Sequence, residues 1–203
     1  MNGEKLKNKI KKRSKEIGAQ PQELMQMYFF ERLLYRISIS RYKFNFILKG
    51  GLLLSAIIGD ERRTTSDMDT MIKGIDIESD ELLRIIQEII NIKTDDNISF
   101  EIEKTKDIRV DDIYGGVNVK LIAKKDGLIV PLFIDITTKD PITPREIEFK
   151  YKSLFDDTYI RIMAFNKETI IAEKFETLIK DTETNTRAKD FYDLYILIKD
   201  YWN

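Results

Sequence analysis

The stretch 98–138 constrains the fold most, because three β-rich segments, 98–108, 117–124 and 128–138, follow one another with Gly115-Gly116 and Asp126-Gly127 as the turns between them. Turns this short join antiparallel neighbours, whereas a parallel return needs a crossover of a dozen or more residues. A sheet is therefore expected in the middle of the chain. The flanks read differently. Pro21 stands where a helix can start, and Leu24, Met27, Tyr28, Glu31, Leu34 and Tyr35 follow at near-helical spacing, which predicts helices over about 4–17 and 21–40. Segments 44–48 and 67–73 read as strands, with Gly50-Gly51 turning the chain into a helix over about 52–58. A helix over 78–92, extended segments within 145–164, and helices over 167–180 and 187–201 complete the pattern. The expected fold class is α+β, a mixed sheet flanked by helices. It divides into a core with its N-terminal helices (1–164) and a short C-terminal helical region (165–203).

Composition narrows the chemistry. The chain of 203 residues is 42% hydrophobic and 34% charged, which suits one globular unit with a real core. It contains neither cysteine nor histidine, so disulfides, Cys/His zinc sites, Ser-His-Asp triads and histidine acid–base catalysis are excluded. Catalysis has to come from carboxylates, lysine, arginine, hydroxyls or a bound metal. No apolar run approaches the roughly 18–20 residues of a membrane span, and no apolar signal segment follows the lysine-rich start, so the expectation is a cytoplasmic protein without a membrane partner. The net charge of -1 hides an asymmetry: Lys5, Lys7, Lys9, Lys11, Lys12, Arg13 and Lys15 crowd the first turns, while acids dominate 76–96. A basic amphipathic helix can steer a polyanion such as RNA, and a solvated helix face reads the same way.

The chemistry-bearing residues begin with Asp67-Met68-Asp69. Side chains alternate along a strand, so the two carboxylates share one face, and both can reach divalent cations about 3.5–4 Å apart, the arrangement used for in-line phosphoryl or nucleotidyl displacement. Upstream, Gly50 and Gly51 allow backbone N–H groups at a helix start to approach phosphate oxygens. The spacing matches neither a Walker loop nor a dinucleotide fingerprint. Asp135 sits in the apolar run 128–136, which reads as a strand buried on both faces; a carboxylate there neutralises, finds a cationic partner or coordinates a metal. If a metal compensates it, Asp67, Asp69 and Asp135 form a carboxylate triad, with Asp135 placed to help activate an attacking hydroxyl. Lys174 falls on a stripe with Ile170, Ile171, Thr177 and Leu178, where an ammonium either snorkels or neutralises phosphate charge. Near the C-terminus, helical spacing pairs Arg187 with Asp190 and Lys189 with Asp193.

Four segments in this order, Phe46-Ile47-Leu48-Lys49-Gly50-Gly51, Arg63-x-Thr65-x-Asp67-Met68-Asp69, Ala172-Glu173-Lys174-Phe175, and Arg187-Ala188-Lys189-Asp190-Phe191-Tyr192-Asp193-Leu194, resemble the AbiEii/AbiGii nucleotidyltransferase toxins, which include the MenT toxins, within the DNA polymerase β-like superfamily. The resemblance implies a nucleotidyltransferase-like sheet and a toxin of a bacterial abortive-infection or toxin–antitoxin pair. Such a toxin transfers nucleotides from an NTP to RNA, tRNA being the favoured acceptor class, with Mg²⁺ or Mn²⁺ as cofactor and a cognate antitoxin as partner. Asp67 and Asp69 match the metal-binding pair and Asp135 the third acid. Lys174 and Asp190 match the lysine and aspartate of the last two motifs, giving a catalytic set of Asp67, Asp69, Asp135, Lys174 and Asp190. The expected nucleotide-binding set is Lys49, Gly50, Gly51, Arg63, Ser66 and Lys174. Other acceptors, a small molecule or a protein, and a non-catalytic nucleotide-binding module are the alternatives.

Overall fold

The computed structural model describes residues 1–59, 63–75, 79–108, 116–180 and 188–201. The elements run α1 (Gly3–Ile17), α2 (Pro21–Ile39), β1 (Phe46–Lys49), α3 (Gly50–Ile58), β2 (Asp67–Ile72), α4 (Ser79–Ile90), β3 (Ser99–Ile108), β4 (Gly116–Lys125), β5 (Leu128–Thr138), β6 (Ile147–Lys152), β7 (Tyr159–Ala164), α5 (Lys167–Lys180) and α6 (Ala188–Tyr201). Local signals account for most boundaries. Asn2 caps α1 by accepting from the Lys5 N–H, and Gly18 ends it in the left-handed conformation. Pro21 opens α2 at a position whose N–H has no helical partner anyway. Helix α3 begins two residues earlier than expected, at Gly50, whose φ of 64° turns the chain from β1 into it.

The seven strands form one mixed sheet in the order β3-β4-β5-β2-β1-β7-β6. The pairs β3–β4 and β4–β5 are antiparallel, and the two-residue turn between β4 and β5 has Asp126 and Gly127 both at positive φ. The pairs β1–β2 and β6–β7 are antiparallel as well, and two parallel contacts join these parts: β2 lies beside β5 and β1 beside β7. One face of the sheet packs against α2 and α4, where Met68, Leu121, Ile134 and Ile136 meet Leu33, Ile37, Ile86 and Ile89. On the other face α3 covers β1 and β2 and in turn meets α6.

Two buried polar ties fix α2, one of them an ion pair. Arg36 donates to both Asp96 oxygens, at 2.8 and 2.9 Å, and to the Ile98 carbonyl, which pins the entry to β3. Glu31 accepts from Ser153 Oγ and the Leu154 N–H, which holds the β6–β7 connection.

Strand β5 corrects the expectation from its composition. Leu128, Val130, Leu132, Ile134 and Ile136 are buried, but Ile129 is 68% and Phe133 39% exposed. The strand is buried on one face only, because the helices on the far side of the sheet cover β1 and β2. Asp135 therefore sits on the half-open face, not in a sealed apolar layer.

Candidate active site

The site starts where β2 leaves the loop before it. Asp67 and Asp69 point to the α3 side of the sheet, and the parallel register sets Asp69 directly beside Asp135 and Asp67 beside Phe133. Three carboxylates from two strands thus occupy one face. Each has a neighbour that orients it: Thr65 Oγ1 donates to Asp67, the Gly51 N–H reaches Asp69 at 3.4 Å, and Asn118 Nδ2 donates to Asp135.

The two glycines make this approach possible. Gly50 has φ 64°, and a Cβ built on it would lie 1.9 Å from Asp69 Oδ2. A Cβ on Gly51 would come within 2.8 Å of Thr65 Oγ1. The N-terminus of α3 can therefore close on β2 only because both residues lack a side chain.

Burial, and then the charges of Asp67 and Asp135, push the Asp69 carboxyl up to about 6. Opposing this, Lys49 pairs in register with Asp69 and places its ammonium 2.6 Å from Asp140 and 3.7 Å from Glu173. Burial acts to lower the Lys49 pKa, but Glu173, Asp140 and Asp69 outweigh it and the net shift is upward. Burial also raises Glu173, with Lys49 pulling the other way.

A cleft of about 410 Å³ opens between α3, α5 and α6, lined by Lys49, Gly50, Gly51, Leu54, Asp69, Ile170, Glu173, Lys174, Glu176, Thr177 and Asp190. Lys174 is the cation the α5 stripe predicts, and it neither snorkels nor stands alone: its Nζ bonds Asp190 and lies 3.0 Å from Asp193. Asp193, whose side chain is wholly buried, also receives a bidentate pair from Arg63 at 2.9 and 2.8 Å. Burial raises the Asp193 pKa, but the hydrogen bonds from Arg63 and Lys174 outweigh it, so the carboxylate titrates below its usual range.

Of the expected site residues, Lys49, Gly50, Gly51, Asp69, Lys174 and Asp190 line the cleft. Asp67 and Asp135 join Asp69 along the sheet. Arg63 is engaged by Asp193 outside the cleft lining, and Ser66 is exposed on the loop before β2. Arg187 and its pairing with Asp190 lie outside the described residues, as does the Lys189 side chain; in the described contacts Asp193 turns to Arg63 and Lys174. Sequence reasoning did not find Asn118, Asp140 or the hub role of Asp193. Asp193 alone left a signal, as an acid three residues after Asp190 on the same helix.

Among the described residues no three acidic groups stand close enough together to hold a metal ion by themselves. The donor set still fits a divalent cation. Three hard oxygen donors share one face, and burial together with their mutual repulsion raises the Asp69 pKa, a cost that a cation would relieve.

The fold recurs in solved structures. JHP933 from Helicobacter pylori is 17% identical, with a TM-score of 0.56 over 90% of this chain and 68% of that one. An antigenic nucleotidyltransferase-like protein from Paracoccidioides brasiliensis is 15% identical, with a TM-score of 0.51 over 83% of this chain and 76% of that one. The antibiotic-resistance factor ANT(2'')-Ia is 14% identical, with a TM-score of 0.52 over 88% of this chain and 85% of that one. At such identities the likeness shows the fold alone. No curated protein matches the sequence. The family described as nucleotidyl transferase AbiEii toxin, type IV toxin–antitoxin system, matches residues 32–203. That match runs from within α2 to the C-terminus and takes in the carboxylates, the glycine pair and the Lys174 hub, so the chain belongs to the AbiEii nucleotidyltransferase toxin family.

Proposed function

We propose that the chain binds an NTP in the cleft between α3, α5 and α6 and transfers its nucleotide to the terminal hydroxyl of an RNA, with tRNA as the acceptor class, in a reaction that depends on Mg²⁺ or Mn²⁺. The observation that carries this reading is the register of β2 with β5, which sets Asp67, Asp69 and Asp135 on one face at the edge of a cleft that ends on a helix N-terminus. Asp67, Asp69 and Asp135 would hold the metal, whose chemistry is to polarise the phosphoryl oxygens and neutralise their charge.

The remaining work falls to the protein. Backbone N–H groups at Gly50 and Gly51 and the positive end of α3 receive phosphate oxygens. Lys174, held by Asp190 and Asp193, offers a positioned cation to the pyrophosphate as it leaves. Asp135, oriented by Asn118, accepts the proton of the attacking hydroxyl while the new bond to the α-phosphorus forms and the bond to the bridging oxygen breaks. Support for an RNA acceptor comes from α1. Leu6 and Ile10 dock it on the body of the protein and leave Lys5, Lys7, Lys11, Lys12 and Lys15 exposed to a polyanion. The family implies a cognate antitoxin as well as the nucleotide. The cytoplasm, where NTP and tRNA meet, is the proposed compartment, and no described helix is long and apolar enough to cross a membrane.

The test is incubation of the purified protein with Mg²⁺, total bacterial tRNA and each α-labelled NTP in turn, beside the Asp67→Ala/Asp69→Ala double variant. Label on tRNA from the wild type alone is the expected result. No transfer with any NTP would overturn the RNA reading and direct the search to a small-molecule or protein acceptor.

A further inference from the structure

The exposed ring of Phe133 is unusual for its position. It stands on β5 directly beside Asp67, on the same face as the three carboxylates, and remains 39% exposed. The Nζ of Lys120, from β4, lies 5.8 Å from the ring centroid, and Lys120 also pairs with Glu103. The sheet order β5-β2-β1 puts this ring and the NTP cleft on opposite sides of Asp67 and Asp69, since the cleft is lined from β1, α3, α5 and α6. In-line displacement imposes the same geometry: the hydroxyl enters opposite the leaving pyrophosphate. If the triphosphate occupies the cleft, the nucleotide bearing the hydroxyl must come over β5.

We infer that Phe133 is the stacking platform for the terminal base of the RNA acceptor, with Lys120 beside the same nucleotide. An aromatic face accepts any base, and a neighbouring cation suits the phosphate attached to it. This rests on the RNA reading proposed above and extends it to the acceptor subsite. A buried core position would be the ordinary use of a strand phenylalanine. Here the alternation along β5 places the core on Leu132 and Ile134 and leaves the ring outside.

The experiment compares wild type, Phe133→Ala, Phe133→Leu and Phe133→Trp in steady-state transfer from the NTP that serves the wild type to total bacterial tRNA, varying NTP and tRNA separately. Loss of a base–aromatic stack lowers kcat/KM for tRNA on the order of ten- to a hundredfold. That fall is expected in Phe133→Ala and Phe133→Leu, with recovery in Phe133→Trp and an unchanged KM for the NTP in all three. Activity of Phe133→Leu equal to wild type, failure of Phe133→Trp to recover, or parallel loss of NTP binding would each overturn the platform and leave the RNA reading standing. A wild type that labels no RNA would remove the reading and the platform together.

Discussion

At Gly50, one missing methyl group decides whether the site can form. A Cβ there would fall 1.9 Å from Asp69 Oδ2, on a backbone already at φ 64°. Gly50→Ala is therefore expected to destabilise the fold by about 1–3 kcal/mol and to abolish transfer, read by urea unfolding and the tRNA labelling assay. Asp69 carries the opposite tension. Its folded pKa, about 6, lies above its ordinary 3.8, so the fold favours the protonated form. The stability this gives is fully present below the unfolded value and is lost as pH rises through the folded one. Asp69→Asn should melt above wild type near pH ~8, with the gap closing near pH ~4, while transfer is lost. Equal melting temperatures across that range would show that Asp69 is not strained.

Among the elements, Asp193 does more than its place in the sequence announces. From α6 it binds Arg63 of the loop before β2 and Lys174 of α5, and so closes the outer wall of the cleft. Asp193→Asn leaves two cations without their shared charge and is expected to cost about 3–5 kcal/mol by denaturant titration. It should also raise the KM for NTP as Lys174 keeps Asp190 but loses the second of its two anchors. A variant as stable as wild type would mean that α6 docks by its apolar contacts alone.

The sequence made the positions of the elements legible because helical and strand periodicity are local, and bounds such as Pro21 and Asp126-Gly127 carry their own turn chemistry. Alternate spacing put Asp67 and Asp69 on one face of a strand, and Lys174 stood out as a charge on an apolar stripe. What the sequence hid was pairing at a distance. Lys189 lies one helical turn from Asp193, whereas Arg63 lies 130 residues away, and no spacing rule reaches that far. Strand β5 hid its open face for a different reason: Ile129, Pro131 and Phe133 make that side as apolar as the buried one over most of its length, so composition alone cannot tell a covered face from a bare one.

Across the whole molecule, charge is divided between two regions. The cleft gathers Asp69, Glu173, Glu176 and Asp190 around Lys49 and Lys174, while α1 presents its lysines outward. If α1 steers the acceptor, reversing Lys7, Lys11, Lys12 and Lys15 to glutamate should weaken tRNA binding and flatten its dependence on salt, with the KM for NTP unchanged. Filter binding over a range of salt concentrations checks this, and an unchanged slope would assign α1 a structural role only.

The parallel seam between β2 and β5 has a consequence for when the toxin becomes active. Asp69 and Asp135 are neighbours in space but lie on strands separated by α4 and the β3–β4 hairpin. Contacts this far apart in sequence are slow to form, because loop-closure entropy must be met first. A nascent chain that has emerged through β2 carries Asp67 and Asp69 but neither Asp135 nor the α5–α6 wall of the cleft. Synthesis can therefore proceed past the paired carboxylates of β2 without assembling the site on the ribosome.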